Sequence, residues 1–206
     1  GAQKGILKAA GATGVAMTIS AKAGVANIIT TSTANDSITL KGDLGTAIND
    51  ISTGTGTDVL DVLSLSSTAS DFTSVDGVET INITVKNSTT AGFDATAKDT
   101  GLQTAKTVNV LGGNALSKFV MTTATFDDNT IAQTIDGSTF KGQVQLNFAS
   151  NALDSTVTIK GGDATDDKVT TIIADTANKP ASITGIETLV VNSTSNDLTA
   201  SFDMSN

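Results

Sequence analysis

Residues 53–61 read Thr-Gly-Thr-Gly-Thr-Asp-Val-Leu-Asp, and residues 77–83 read Gly-Val-Glu-Thr-Ile-Asn-Ile. Glycine permits tight turns with positive φ, and β-branched residues that alternate with polar ones after each turn are typical of short strands. The same pattern recurs along the chain and predicts further strands. The clearest segments are residues 37–40, 80–85, 107–110, 143–148, 156–159 and 188–191.

The two opening stretches belong to an internal repeat. Residues 54–80 align without gaps to residues 162–188, and the only two glutamates of the chain, Glu79 and Glu187, are partners in this alignment. A gap-free repeat favours a solenoid, so we predict an all-β fold, an irregular right-handed parallel β-helix. Strands at a spacing of roughly 8–12 residues also fit an alternative, tandem small β-sandwich domains.

The repeat suggests a division of the chain into three parts. These are an N-terminal connecting segment at 1–30, a first β module at 30–149 and a second, related module at 150–206. A few stretches lack the strand pattern and are the best candidates for helical structure. We predict a helix at residues 3–12 and short helical turns at residues 68–75 and 176–183.

The composition excludes several kinds of chemistry. The 206 residues include no His, Cys, Arg, Trp or Tyr, so the chain offers no imidazole base, thiol nucleophile or guanidinium clamp. A net charge of −9 with three percent aromatic residues is unsuited to nucleic-acid binding. No apolar run is long enough to span a membrane, and no signal peptide is visible at the start. We predict a protein that is not an enzyme, does not bind nucleic acid and does not span a membrane.

Residues 53–61 also carry a metal-binding pattern. They match the nonapeptide G-G-x-G-x-D-x-U-x at every defined position except the first, and tandem copies of that nonapeptide bind Ca²⁺ in the turns of a parallel β-roll. Asp58 occupies the Asp position, and a carboxylate is the hard oxygen ligand that Ca²⁺ prefers. The alternative is an ordinary turn in which Asp58 caps backbone N–H groups.

Two weaker copies of this pattern follow the same logic. Residues 161–169 keep both leading glycines and place Asp163, Asp166 and Asp167 within five positions, but they have Ala and Lys where the pattern has Gly and an apolar residue. A third and weaker match to the pattern, at residues 34–38, contains Asp36.

Glu79 and Glu187 allow two interpretations. They are catalytic carboxylates or metal ligands, or each bridges a turn at the start of a strand. The strand that follows each glutamate in the same register favours the structural interpretation. Residues at equivalent repeat positions lie in similar environments, whereas an acid/base pair needs two different ones.

The order of these motifs resembles that of Gram-negative surface-layer (S-layer) proteins exported by type I secretion, in which a degenerate Ca²⁺ nonapeptide is followed by a loop and G-[VIF]-E-T-[LIV]-x-[VI]. Residues 54–60 and 77–83 carry the resemblance, together with the strand-to-turn junction at 156–167. The resemblance implies an extracellular, cell-surface protein whose copies form a two-dimensional lattice, with Ca²⁺ in the turns of a β-solenoid. It also allows a cell-surface glycolipid as a partner.

The resemblance further implies a set of Ca²⁺ ligands. Carried over position by position, they are Asp58 from the first motif and Asp166 from the second. Asp61, Asp163 and Asp167 are neighbouring carboxylates that the pattern does not define, and Asp36 from the third, weaker copy is the remaining candidate. Because the chain lacks a tandem run of perfect nonapeptides, we expect isolated Ca²⁺ sites rather than a regular β-roll.

The sequence is compatible with three functions. The first is a self-assembling S-layer protein stabilised by Ca²⁺, and the second is a secreted RTX-type adhesin or stalk that binds another surface. The third is a polysaccharide-active β-helix enzyme. A chain without Trp, Tyr or Arg lacks the usual side chains for holding a sugar, which disfavours the third.

Overall fold

The computed structural model describes residues 4–9, 13–20, 25–42, 44, 49–65, 70–95, 102, 104–123, 131–150, 153, 156–173, 182–193 and 204–205. Within these ranges the fold is all-β, with eighteen strands. The first nine are β1 Lys4–Lys8, β2 Ala16–Ser20, β3 Ala26–Thr30, β4 Ser37–Lys41, β5 Asn49–Ser52, β6 Val59–Leu65, β7 Ser70–Asp76, β8 Thr80–Val85 and β9 Thr90–Ala95. The others are β10 Thr107–Gly112, β11 Lys118–Thr123, β12 Gln133–Asp136, β13 Gln143–Ser150, β14 Val157–Lys160, β15 Lys168–Ile173, β16 Ser182–Thr184, β17 Thr188–Ser193 and β18 Met204–Ser205.

The strands form two nine-stranded parallel sheets. One sheet contains β1, β3 and every later odd-numbered strand in order, and the other contains all the even-numbered strands in order. Each turn of the chain therefore adds one strand to each sheet, which is the topology of a β-solenoid. The predicted parallel β-solenoid is confirmed, and the β-sandwich alternative is excluded because each strand pairs with the strand two positions away in sequence.

The core is a thin layer of aliphatic and phenylalanine side chains between the two sheets. Strand β4 alternates half-buried Ser37 and Thr39 with buried Ile38 and Leu40, and strands β8, β10, β12 and β14 show the same period of two. Inward side chains also pack against those of the next turn. The rings of Phe72 on β7 and Phe93 on β9 stack with centroids 4.3 Å apart, although Phe93 lies opposite Ser70 in the strand register. Burial is thus shared along the solenoid axis rather than concentrated in one centre.

The helical predictions are wrong where the structure describes them. Residues 4–8 form β1, which pairs along its whole length with β3. Strand β7 runs through 70–76, and β16 covers 182–184. The remaining parts of the predicted helix and turns, residues 3, 10–12, 68–69 and 176–181, lie outside the described residues. Pairing with neighbouring turns outweighed the weak local propensity of these segments.

Equivalent strands of the two repeat copies lie in opposite sheets. The first copy contributes β6 and β8 to the even-strand sheet and β7 to the odd-strand sheet, whereas the second contributes β15 and β17 to the odd-strand sheet and β16 to the even-strand sheet. The sheets themselves run without interruption through residues 30 and 150, from β3 to β5 and from β13 to β15.

The gap-free alignment of the copies is wrong by one residue. Asp58 directly precedes β6 and donates its backbone N–H to Glu79, and it is Asp167, directly before β15, that does the same toward Glu187. The turn in the second copy is therefore one residue longer. Asp58 corresponds to Asp167 and not to Asp166.

Candidate metal centre

The turns of the solenoid stack at its two edges. Turns that lead from an odd strand to the next even strand form one edge, and we call the stacked turns at residues 31–36, 53–58 and 77–79 the acidic corner. Each of these turns ends in an acidic residue immediately before a strand, namely Asp36, Asp58 and Glu79. Strand pairing places these three residues in register, with Ser37 opposite Val59 and Val59 opposite Thr80.

The three carboxylates form a hydrogen-bonded ladder along the acidic corner. Oδ1 of Asp36 accepts the backbone N–H of Val15 at 2.7 Å, and Oδ1 of Asp58 accepts that of Asp36 at 2.6 Å. Oε2 of Glu79 accepts the N–H of Asp58 at 2.7 Å. Each carboxylate thus satisfies a backbone donor of the preceding turn through a charge-assisted bond. The interpretation of Glu79 as a residue that bridges turns is confirmed.

Two oxygens in this ladder have no hydrogen-bond partner. Oδ2 of Asp36 and Oδ2 of Asp58 are both buried and unpaired, and the residues themselves are 2% and 0% exposed. Within the described part of the chain, no lysine forms an ion pair with either carboxylate. Burying an unpaired charge is strongly unfavourable unless a counter-charge or hydrogen bonds offset it. A cation next to these two adjacent buried carboxylates would offset that cost.

Backbone carbonyls accompany these carboxylates. Gly54 has a φ of 83°, a conformation that favours glycine, and a Cβ at this position would lie 2.6 Å from the carbonyl oxygen of Ser32. A Cβ on Gly56 would lie 2.7 Å from the carbonyl oxygen of Ala34. The glycines therefore let the turn at 53–58 lie directly against the carbonyl groups of the turn at 31–36. Carboxylate and carbonyl oxygens are together the ligand types of Ca²⁺ sites.

A second, shorter ladder lies at the other edge of the solenoid. Oδ1 of Asp167 accepts the N–H of Val144 at 2.7 Å, and its Oδ2 accepts that of Gly162 at 2.6 Å. Oε2 of Glu187 accepts the N–H of Asp167 at 2.8 Å, which confirms the turn-bridging interpretation of this glutamate as well. Both oxygens of Asp167 are thus occupied by backbone donors. This carboxylate differs in that respect from Asp36 and Asp58.

The pKa of Asp167 is raised from 3.8 to about 6. Burial of the carboxylate is the main cause, and the negative charges of Glu187 and Asp166 act in the same direction, whereas the two backbone hydrogen bonds oppose the shift.

This shift predicts a pH dependence of stability in calcium-free buffer. Because the folded chain binds the Asp167 proton more tightly than the unfolded chain does, the free energy of unfolding falls as pH rises from about 4 through about 6. The difference between 3.8 and about 6 corresponds to about 3 kcal/mol from this residue. Asp167→Asn should remove that part of the slope. Chemical denaturation at pH 4.5, 5.5 and 7 would measure it, and an equal slope in both proteins would contradict the assignment.

The other predicted ligands lie apart from the acidic corner. Asp61 faces outward on β6, where its Oδ1 accepts the side-chain N–H of Asn82 at 2.8 Å. Asp163 and Asp166 are exposed and line a surface concavity of about 420 Å³ near the other edge, and Asp163 forms an ion pair with Lys141. The structure therefore brings Asp36 and Asp58 together. It separates both from Asp61, Asp163, Asp166 and Asp167.

Carboxylate and backbone carbonyl oxygens are both present at the acidic corner, and Asp36 and Asp58 each have one unpaired oxygen. Among the described residues, no group of three or more acidic side chains is arranged to hold a metal. A cation at this corner would therefore have to be held by two carboxylates together with backbone oxygens.

Sequence reasoning missed the outward column of amides next to Asp61. Asn82 Oδ1 accepts the side-chain N–H of Asn109 at 2.8 Å, which extends the contact between Asn82 and Asp61 over a third strand. The sequence pattern that could have revealed this column is an Asn or Asp at the third residue of the successive even strands β6, β8 and β10. This regularity explains Asp61 as one end of a side-chain ladder.

No protein-family model, curated protein or solved structure matches this chain significantly. Among the described residues, none forms a helix with the length and hydropathy needed to cross a membrane.

Proposed function

We propose that this chain is a structural, self-assembling protein of the cell surface, of the S-layer type, and that Ca²⁺ at the acidic corner stabilises its solenoid. The observation that carries the proposal is the pair of unpaired, buried oxygens on Asp36 and Asp58, in adjacent glycine-rich turns. The extracellular location, type I export and RTX-like character rest on the motif resemblance at residues 54–60 and 77–83.

The residues of the acidic corner have separate roles in this proposal. Asp36 and Asp58 use Oδ1 to hold the backbone of the preceding turn and offer Oδ2 to the ion. Glu79 closes the ladder by holding the N–H of Asp58. Ca²⁺ would supply the positive charge that the site lacks, and its binding to the folded chain alone would raise the free energy of unfolding.

Bound Ca²⁺ would also favour assembly of the chain with its own copies. A chain with a net charge of −9 repels its own copies, and bound cations reduce that repulsion. Assembly into a lattice, with copies of the chain as partners and a cell-surface glycolipid as a further one, is therefore expected to depend on Ca²⁺. The proposed role is not catalytic, in keeping with a composition that lacks His, Cys and Arg.

Calorimetry and electron microscopy test the proposal together. We expect millimolar Ca²⁺ to raise the melting temperature by several degrees over EGTA, and Mg²⁺ at the same concentration to raise it less, because Mg²⁺ sheds its water reluctantly. Sheets that form in Ca²⁺ and disperse in EGTA would support the lattice. Monodisperse particles that bind Ca²⁺ would favour the adhesin or stalk. Identical melting curves with no bound Ca²⁺ would refute the proposal.

A further inference from the structure

The edge of the solenoid opposite the acidic corner carries charges of opposite sign at its two ends. We call this edge the mixed corner, and it consists of five successive turns at residues 86–89, 113–117, 137–142, 161–167 and 185–187. Lys86 lies in the first of these turns and Lys118 directly follows the second, whereas Asp166 and Glu187 lie in the last two turns. The acidic end also contains one lysine, Lys168, directly after the fourth turn. Successive turns are about 4.8 Å apart, so the whole stretch is about 19 Å long.

An apolar side chain is held in a fixed position on this corner. Leu116 is 79% exposed, the largest exposure among the large hydrophobic side chains that the structure describes. Its turn is tied down by Asn114, whose Oδ1 accepts the backbone N–H groups of Leu116 at 3.1 Å and Ser88 at 3.0 Å. Ser117 Oγ accepts the N–H of Asn114 at 2.9 Å. A single exposed leucine is common on a protein surface. Here, however, these hydrogen bonds fix the backbone of the turn that carries Leu116.

A receiving surface spans three turns of the same corner. The concavity of about 420 Å³ is lined by Ala115, from the turn that carries Leu116, and by Lys141, Asp163, Ala164, Thr165 and Asp166. Asp163 and Asp166 lie at the end of the concavity away from Lys86, and Asp163 is paired with Lys141. A surface with an apolar projection and basic residues at one end, and a concavity with acidic residues at the other, is complementary to itself when turned by half a revolution.

We propose that two copies of this chain associate through their mixed corners about a two-fold axis that passes through the turn at 137–142. This operation places the turn at 113–117 of one copy over the turn at 161–167 of the other. Leu116 then enters the concavity beside Ala164, and Lys118 faces Asp166. The inference deepens the proposed assembly and rests on it for its biological purpose, but this contact needs no Ca²⁺.

The size of the mixed corner sets the expected strength. A strip about 19 Å long and one turn wide buries less than the roughly 1,200 Å² of a stable complex. The isolated contact is therefore weak, with a dissociation constant on the order of 0.1 mM or above, and repetition of contacts in an assembly would strengthen it.

Cross-linking through a single new cysteine tests the two-fold axis. The chain contains no cysteine, and Thr139 is exposed on the axial turn, so Thr139→Cys should place two thiols within disulfide reach across the interface. Thr55→Cys, exposed on the acidic corner, is the matched control. With both variants at 0.1 mM in EGTA under mild oxidation, we expect dimers of Thr139→Cys to form at least tenfold faster. Equal rates would overturn the proposal.

Charge reversal tests the register. In the Thr139→Cys background, Lys118→Glu alone and Asp166→Lys alone should each slow cross-linking several-fold, and the two together should restore it. Failure of the pair to restore the rate would overturn the predicted contact. Because these measurements use EGTA, selective cross-linking without any Ca²⁺ effect on melting would count only against the proposed function. A Ca²⁺ effect with equal cross-linking rates would count only against the dimer.

Discussion

In calcium-free buffer, the double variant Asp36→Asn/Asp58→Asn will unfold at a higher temperature than the wild-type chain, and in saturating Ca²⁺ the order will reverse. Asparagine keeps an Oδ1 that accepts the backbone N–H of Val15 or Asp36, so the ladder is preserved. It removes two buried negative charges, each of which has an oxygen without a hydrogen-bond partner. We expect a gain of about 1–3 kcal/mol without the ion.

The reversal in Ca²⁺ follows from linkage. An ion that binds only the folded wild-type chain adds about 2.7 kcal/mol when its concentration is a hundred times the dissociation constant. The double variant lacks the charged ligands and should gain little. Scanning calorimetry of both proteins in EGTA and in Ca²⁺ gives the four melting temperatures that are needed. The same order in both buffers would contradict a Ca²⁺ site at Asp36 and Asp58.

Asp61→Asn is the matched control for this experiment. It makes the same chemical change in the strand that follows Asp58, at a half-buried position on the outer face of the sheet. Its carboxylate contacts Asn82 and lies outside the acidic corner. We expect Asp61→Asn to retain the full Ca²⁺ response. A lost response would place Asp61 among the ligands.

Gly161→Ala should produce the largest loss of stability of any substitution considered for this chain. A Cβ at residue 161 would overlap the backbone carbonyl oxygen of Gly185 in the next turn and would lie 2.8 Å from Oδ2 of Asp167. Gly161 and Gly185 directly follow the paired strands β14 and β16, so their backbone atoms have little room to move and the turns must separate. We expect a loss of about 3 kcal/mol or more, measured by denaturant unfolding.

Gly5→Ala is the control for that substitution. The nearest atom to a Cβ on Gly5 is the carbonyl oxygen of Ala26 at 3.7 Å, an ordinary van der Waals contact. Gly5 also lies in a strand, where alanine is tolerated. This variant should change the free energy of unfolding by less than about 1 kcal/mol. A loss as large as that of Gly161→Ala would show that the clash with Gly185 is not the cause.

The predictable part of this fold was the part with clear alternation. Strands such as β8, with buried isoleucines at every second position, could be read directly from the sequence. Strands β1 and β9 could not, because KGILK and TAGFDA have weak local preferences and become strands only through pairing with neighbouring turns. The helix expected at residues 3–12 is a strand over residues 4–8 for this reason.

Individual residues of the candidate site could be predicted from the sequence, but which of them lie next to each other could not. The nonapeptide pattern singled out Asp58, yet its partners depend on how many residues each turn of the solenoid contains. Asp36, Asp58 and Glu79 are 22 and 21 positions apart, and each directly precedes a strand. That spacing is a usable signal once a solenoid is known. The extra residue in the turn before Asp167 shows why the spacing alone misassigns individual ligands.

Equivalent strands of the two repeat copies lie in opposite sheets, and this arrangement has a consequence for how the solenoid is built. Strands β6 and β15 are nine strands apart, an odd number, so the copies are related by a half-integral number of turns. Each copy contains two complete strands, β6 and β7 or β15 and β16, and therefore makes up one turn of the solenoid. The same stretch of sequence thus begins in one sheet in the first copy and in the other sheet in the second copy. A repeat of this kind can start on either face of the solenoid and still direct its apolar side chains inward.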